Sequence, residues 1–255
     1  MAHIVSWPFV VLAGFGVGTS MGLFGVGGSS VATPVLALLG APSLIAVASP
    51  LPATIPAAGV GAVPYLRAGE ARPRAAGWSI LGGFPGTIAG ALLSHVVGGA
   101  SLLVASGVVL IVVGLRVLWP IEDAAREVGT RRRQNRALLV AATAGVGVFT
   151  GLLANGGGFL LVPLYLLSFG LRMRQAVGTS LLVITVLAVP TLVTHWALGH
   201  IDWSLAGEFA LGLLPGSAAG SQLAHRVHGP TLRRGFGLFL VAFGVFFTAY
   251  RIAHS

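Results

Sequence analysis

The chain has 255 residues, 55% of them hydrophobic and 8% charged, with a mean hydropathy of +0.92. A soluble domain carries about 25% charged residues, so this composition belongs to an integral membrane protein, and at ~20 residues per span the spans use up nearly all of the length. Arginine supplies all 15 basic residues against 6 acids, a net charge of +9 that here sets orientation and does not bind nucleic acid, and the absence of cysteine excludes disulfides, thiolate metal sites and cysteine relays.

In chain order, residues 1–8 lack the basic region of a signal peptide, so the first apolar segment, 5–23, is expected to be retained. It ends at a glycine-rich tip, Gly22-Leu-Phe-Gly-Val-Gly-Gly-Ser-Ser30, followed by Pro34. Residues 29–40 form a second apolar segment, too short to span comfortably. Helices are expected over 43–66, 75–95 and 100–119, with turns near 69–73 and 98–99. Residues 120–136 are the one long polar stretch and read as a linker. Then come 137–153, a second tip at 154–158, and segments at 159–170, 174–198, 204–225 and 230–252.

The second half repeats the first. With a shift of 129, Gly16, Gly18, Gly22, Gly27, Gly28 and Pro34 fall on Gly145, Gly147, Gly151, Gly156, Gly157 and Pro163. With a shift of 130, Ser49 falls on Thr179, Pro85-Gly86-Thr87 on Pro215-Gly216-Ser217, and His95 on His225. A register this long indicates duplication, giving a first transmembrane repeat over 1–119, the linker 120–136, and a second repeat over 137–255.

Arginine placement decides how the halves are oriented. If residues 5–40 cross once, the repeats are parallel and the arginines divide ten against five. If 5–40 is a hairpin turning at its tip, the repeats are inverted, and all arginines but Arg251 share one side. The positive-inside rule favours inversion. The expected fold is therefore all-α: two inverted repeats of about 130 residues, each a glycine-tipped broken or re-entrant helix hairpin followed by three transmembrane helices. Both termini would be extracytoplasmic, with loops 67–74, 120–136, 171–174 and 226–234 cytoplasmic.

The tips carry the chemistry. Irregular backbone at membrane depth is tolerated only where protein buries it or water and ligand reach it, and paired interruptions in two halves point to a transporter's binding site. A helix starting after each tip would aim its unpaired N–H groups at the bilayer middle and favour an anion. The candidate substrate-binding residues are Gly27, Gly28, Ser29, Ser30, Thr33, Ser49 and Thr54 in the first half, with Asn155, Gly156, Gly157, Gly158, Thr179 and Ser180 in the second. No acid lies near them, which argues for a small oxyanion over a cation. The competing reading makes the glycines close helix contacts and the hydroxyls partners of their own i−4 carbonyls. His195 and Glu208 are candidates for proton coupling, against interfacial positions for both. Trp7, Trp119, Trp196 and Trp203 fit aromatic belts, and His95 and His225 fit interfacial anchors. No metal-ligand spacing, cofactor motif or nucleophile–base pair is present, so no enzyme, cofactor or metal is expected.

The paired segments Gly22–Pro34 and Gly151–Pro163, with Ala176-Val177-Gly178-Thr179-Ser180, resemble the TauE/SafE family of sulfite exporters, also called TSUP transporters. The resemblance implies a carrier in a prokaryotic inner membrane, exporting sulfite, sulfoacetate or another sulfur-containing or organic anion, with protons as a candidate coupling ion. The second tip, Asn155-Gly156-Gly157-Gly158, is closer to the family pattern than Gly27-Gly28-Ser29. The lack of cysteine separates the chain from cysteine-dependent thiosulfate transporters. Two other readings predict different behaviour: a passive anion channel would show no trans-stimulation, and a non-transporting membrane assembly factor would keep its tips closed.

Overall fold

The computed structural model describes residues 6–93, 99–119, 135–152 and 158–253, and every regular element among them is helical. The first half contains α1 (Trp7–Phe24), α2 (Gly28–Leu38), α3 (Ser43–Ala48), α4 (Leu51–Arg67), α5 (Pro73–Leu93) and α6 (Gly99–Leu118). The second contains α7 (Arg136–Leu152), α8 (Gly158–Pro163) with a π-helical turn over Leu164–Ser168, α9 (Met173–Ala197), α10 (Trp203–Arg226) and α11 (Gly229–Ala253).

Lipid as solvent explains the distribution of side chains. Large apolar residues such as Leu12, Leu81, Leu92, Leu211 and Leu238 face outward, whereas Ser29, Thr54, Thr143, Thr179, Ser180 and Ser217 are buried. Trp7–Phe24, Leu44–Arg67 and Met173–Ala197 are each long and apolar enough to cross a membrane. Trp7, Trp119, Trp196 and Trp203 are all exposed.

Because lipid removes the hydrophobic drive between helices, they associate through small residues that let backbones approach. Gly14, Gly18 and Gly22 recur every four residues on α1, and Gly212, Gly216 and Gly220 do the same on α10. A Cβ at Gly14, Gly18 or Gly22 would run into the Phe209, Leu213 or Ser217 carbonyl, and one at Gly212, Gly216 or Gly220 into Val11, Phe15 or Thr19. The same seam joins α5 to α7, where Gly82, Gly86 and Gly90 lie on the Val140, Ala144 and Val148 carbonyls and Gly147 on that of Gly83. The first helix of each half thus packs along the penultimate helix of the other. Between α6 and α11, Gly114 and Gly237 lie against each other's carbonyls.

Two elements differ from the sequence expectation. The helix expected over 43–66 is broken at Ser49–Pro50 into α3 and α4, because Pro50 and Pro52 both lack the N–H that would continue the ladder. The segment expected over 159–170 is a short α-helix that widens to a π-turn directly after Pro163, since the proline ring displaces the preceding turn. The linker, apart from Asn135 and Arg136, lies outside the described residues.

Candidate functional site

Helix α1 ends in a left-handed Gly25 (φ 68°), whose N–H bonds to the Met21 carbonyl 2.7 Å away. Glycine takes this conformation without the Cβ penalty, and α2 starts three residues later. Gly27 meets the start of α8 directly: a Cβ on Gly158 would strike the Gly27 nitrogen and lie 2.8 Å from its Cα. The Ser180 hydroxyl, from α9, donates to the Gly25 carbonyl at 3.1 Å and lies 3.5 Å from that of Gly158. The described part of the second tip is therefore packed on the first. Asn155, Gly156, Gly157 and His95 lie outside the described residues.

The remaining candidates divide by what their hydroxyls do. Ser29 and Ser30 are buried on the first turn of α2, and the Ser30 hydroxyl has no hydrogen-bond partner among the described residues. An unmet buried hydroxyl costs about 1–3 kcal/mol, so it needs an explanation in a way that a bonded one does not. Thr33 donates to the Ser29 carbonyl and Thr54 to that of Pro50, both at 2.9 Å and four residues back. Gly28 sits beside Thr54, since a Cβ there would be 3.0 Å from Oγ1.

Ser49 and Thr179 are engaged elsewhere, at two turns that correspond under the shift of 130. Thr179 donates to the Gln175 carbonyl (2.6 Å) and accepts the Arg72 N–H (3.1 Å). Ser49 accepts the Asp202 N–H, also at 3.1 Å. Each turn closes a helix with a left-handed glycine, Gly69 or Gly199. In each, the N–H after that glycine returns to the residue five positions earlier, Glu70 to Tyr65 (2.9 Å) and His200 to His195 (3.1 Å).

Their side chains are unlike. Glu70 pairs with Arg174 at 3.3 Å and lies 3.1 Å from His225 Nε2, joining the first half to two helices of the second. Arg174 also donates to the Ala224, His225 and Val227 carbonyls at 3.0–3.1 Å, capping α10. Tyr65 packs on His225 with ring centroids 4.8 Å apart, and its hydroxyl donates to the Gly22 carbonyl (2.9 Å), so this cluster reaches the end of α1. Sequence reasoning missed Glu70, whose partners lie 104 and 155 positions away. At the other turn, His195 and His200 share a 3.3 Å contact between Nδ1 atoms. Glu208 is half-buried on α10.

Two cavities open beside the arginine-bearing turns. One of about 690 Å³ is lined by Arg72, Arg74, Trp78, Arg136, Tyr165 and neighbouring apolar residues. The other, about 380 Å³, is lined by Glu70, Arg172, Arg174 and residues 225–229. Among the described residues, no group of three or more His, Cys, Asp or Glu could hold a metal ion.

Comparison with known proteins identifies the family. The family model described as Sulfite exporter TauE/SafE matches residues 10–247. A "Probable membrane transporter protein" of Xylella fastidiosa (strain 9a5c) is 29% identical over 238 residues, covering 90% of each chain. From Bacillus subtilis (strain 168), "Probable membrane transporter protein YunE" is 26% identical over 248 residues, covering 88% of this chain and 89% of the relative. From the same organism, "Probable membrane transporter protein YjnA" is 28% identical over 232 residues, covering 85% of this chain and 90% of the relative. No solved structure matches. With nearly its whole length matched, the chain belongs to the TauE/SafE family of multi-pass membrane transporters.

Proposed function

We propose that the chain is a secondary transporter that exports a small sulfur-containing or organic anion of the sulfite or sulfonate type, bound where the two tips meet. The observation that carries this reading is the junction itself. Gly158 packs on Gly27, Ser180 bridges toward both tips, and the unpartnered Ser30 hydroxyl lies on the first turn of the helix that starts there. The N-terminal turn of α2 contributes a positive dipole end without any acid in that turn. In this reading the backbone of 156–158 and Asn155 complete the anion's surroundings from the second half, and Ser29, Thr33 and Thr54 support the first.

Two inverted repeats suit alternating access about such a junction. The reciprocal seams α1–α10 and α5–α7 support that arrangement. So does the contact of Glu70 with Arg174, which brings loop 67–74 and loop 171–174 to one end of the bundle. A parallel arrangement would separate these loops. By the positive-inside rule that end faces the cytoplasm of a prokaryotic inner membrane, with both termini outside. Protons are a candidate coupling ion, with His195 and Glu208 as groups to test.

Proteoliposomes preloaded with sulfite should transiently accumulate labelled sulfite added outside, and the uptake should saturate. Ser30→Ala should raise the half-saturating concentration about tenfold, equivalent to ~1.4 kcal/mol of binding. Flux that neither saturates nor responds to internal anion would favour a channel. No flux from intact protein with any small anion of this class would favour a non-transporting assembly role.

A further inference from the structure

The 690 Å³ cavity beside α5 has an unusual charge balance. Among the described residues, three arginines, Arg72, Arg74 and Arg136, line it, and no acid does. Glu70, only two residues from Arg72, instead lines the second cavity, where it pairs with Arg174. Arg136 is placed over the Trp78 ring, 5.4 Å from its centroid. The Nε of Arg72 is buried without a hydrogen-bond partner among the described residues. Like charges so placed repel one another, and a desolvated guanidinium nitrogen without an acceptor is costly.

The helix beginning in this cavity sharpens the point. Arg72 immediately precedes Pro73, the first residue of α5, and Arg74 follows in the first turn. Cations at a helix N-terminus oppose its dipole, and anions complement it. The other half shows what normally occupies this place. Asp202 corresponds to Arg72 under the shift of 130, and their N–H groups make the same bond, to Ser49 and Thr179 respectively. The Asp202 carboxylate caps α10, accepting the Ser204 and Leu205 N–H groups at 3.0 and 3.1 Å. At α5 that built-in anion is replaced by a cation with an open cavity in front of it.

We propose that the cavity at the start of α5 is a second anion site, where Arg72, Arg74 and Arg136 and the first turn of α5 hold an external oxyanion in the place that the Asp202 carboxylate fills in the other half. The group bound is a sulfonate, sulfate or phosphate, arriving as a free anion or as the head of an acidic lipid. That a free anion caught here is cargo waiting at the cytoplasmic mouth rests on the transport reading above. The exposed Trp78 forms the rim and gives the site an optical reporter.

The test is a titration of Trp78 emission, isolated by subtracting the signal of Trp78→Phe, in nanodiscs of neutral phosphatidylcholine. Sodium sulfate should change the emission saturably, with half-saturation raised at least tenfold by Arg74→Gln. Arg72→Asp should abolish the response while keeping or raising the melting midpoint, because it recreates the Asp202 cap. If sulfate has no effect but added phosphatidylglycerol produces the saturable, Arg72-dependent change, the oxyanion is a lipid head and the site stands. No response to either probe in folded protein would overturn the proposal, as would a response that Arg72→Asp leaves intact. So would a response seen only after Glu122, Asp123 and Glu127 are neutralised, which would mean that the linker's own carboxylates occupy the cavity. Ser30→Ala should leave this titration unchanged, so failure of the cavity and failure of the tip junction are read separately.

Discussion

Turns 65–74 and 195–204 share a backbone and differ in chemistry. Both end a long helix with a left-handed glycine, both return an N–H five residues, and both anchor the next helix through one hydroxyl from the opposite half. In the second turn the side chains pair locally: Asp202 caps α10, and the Nδ1 atoms of His195 and His200 lie 3.3 Å apart. The first depends on the rest of the molecule, with Glu70 paired to Arg174 and two arginines at an open cavity. Between the two turns, geometry is kept and charge is not. The lesson is that the backbone hydrogen bonds are common to the two turns, whereas their side chains carry the difference between the two ends.

Where the halves agree, equivalent substitutions should have equal effects, and these are the largest. Gly86→Val and Gly216→Val each place a side chain on a carbonyl across a glycine seam. Each should cost about 3 kcal/mol or more, read as loss of monodisperse protein on size exclusion. A large effect at one and none at the other would break the equivalence of the seams.

Where the halves differ, the effects should separate. Arg174→Gln removes the partner of Glu70 and three carbonyl contacts that cap α10. It should lower stability by about 2 kcal/mol, against about 1 kcal/mol for Glu70→Gln, whose ion pair is a quarter exposed. Melting midpoints of the two variants decide the order, and the Glu70→Gln effect should shrink in high salt.

A smaller and more pointed contrast comes from the paired turn residues. Asp202→Ala should destabilise by about 1 kcal/mol through loss of its cap. Arg72→Ala should leave stability unchanged or slightly raised, because it removes a cation from a helix N-terminus. Equal losses at both positions would mean that Arg72 is satisfied internally and that the charge contrast has no energetic content.

Much of the architecture was legible because its causes are local. Apolar run lengths set the helices to within a few residues, whereas the glycines at 14, 18 and 22, at 82, 86 and 90, and at 212, 216 and 220 became seams only once the fold showed which helices they join. The break at Ser49–Pro50 was obscured by an unbroken apolar run, although Pro50 and Pro52 carried the signal. The π-turn after Pro163 was not legible, since Pro34, at the equivalent place, sits inside a regular α2. Side-chain roles depend on which face packs where. Ser49 and Thr179 were grouped with the tips, yet their hydroxyls hold turn N–H groups. The role of Glu70 depends on Arg174 and His225, brought to it only by the fold.

The central claim is that an anion binds at the junction of the tips, and it turns on one buried hydroxyl. The most direct measurement is the thermal unfolding of detergent-purified protein with and without sulfite, for wild type and Ser30→Ala. Without ligand, Ser30→Ala should melt at the same temperature or higher, because it removes an unpartnered buried hydroxyl. With sulfite at about 100 times its dissociation constant, wild type should gain ~2.7 kcal/mol of stability, and Ser30→Ala should gain far less. An equal gain in both proteins, or a large loss of stability in Ser30→Ala without ligand, would contradict the account.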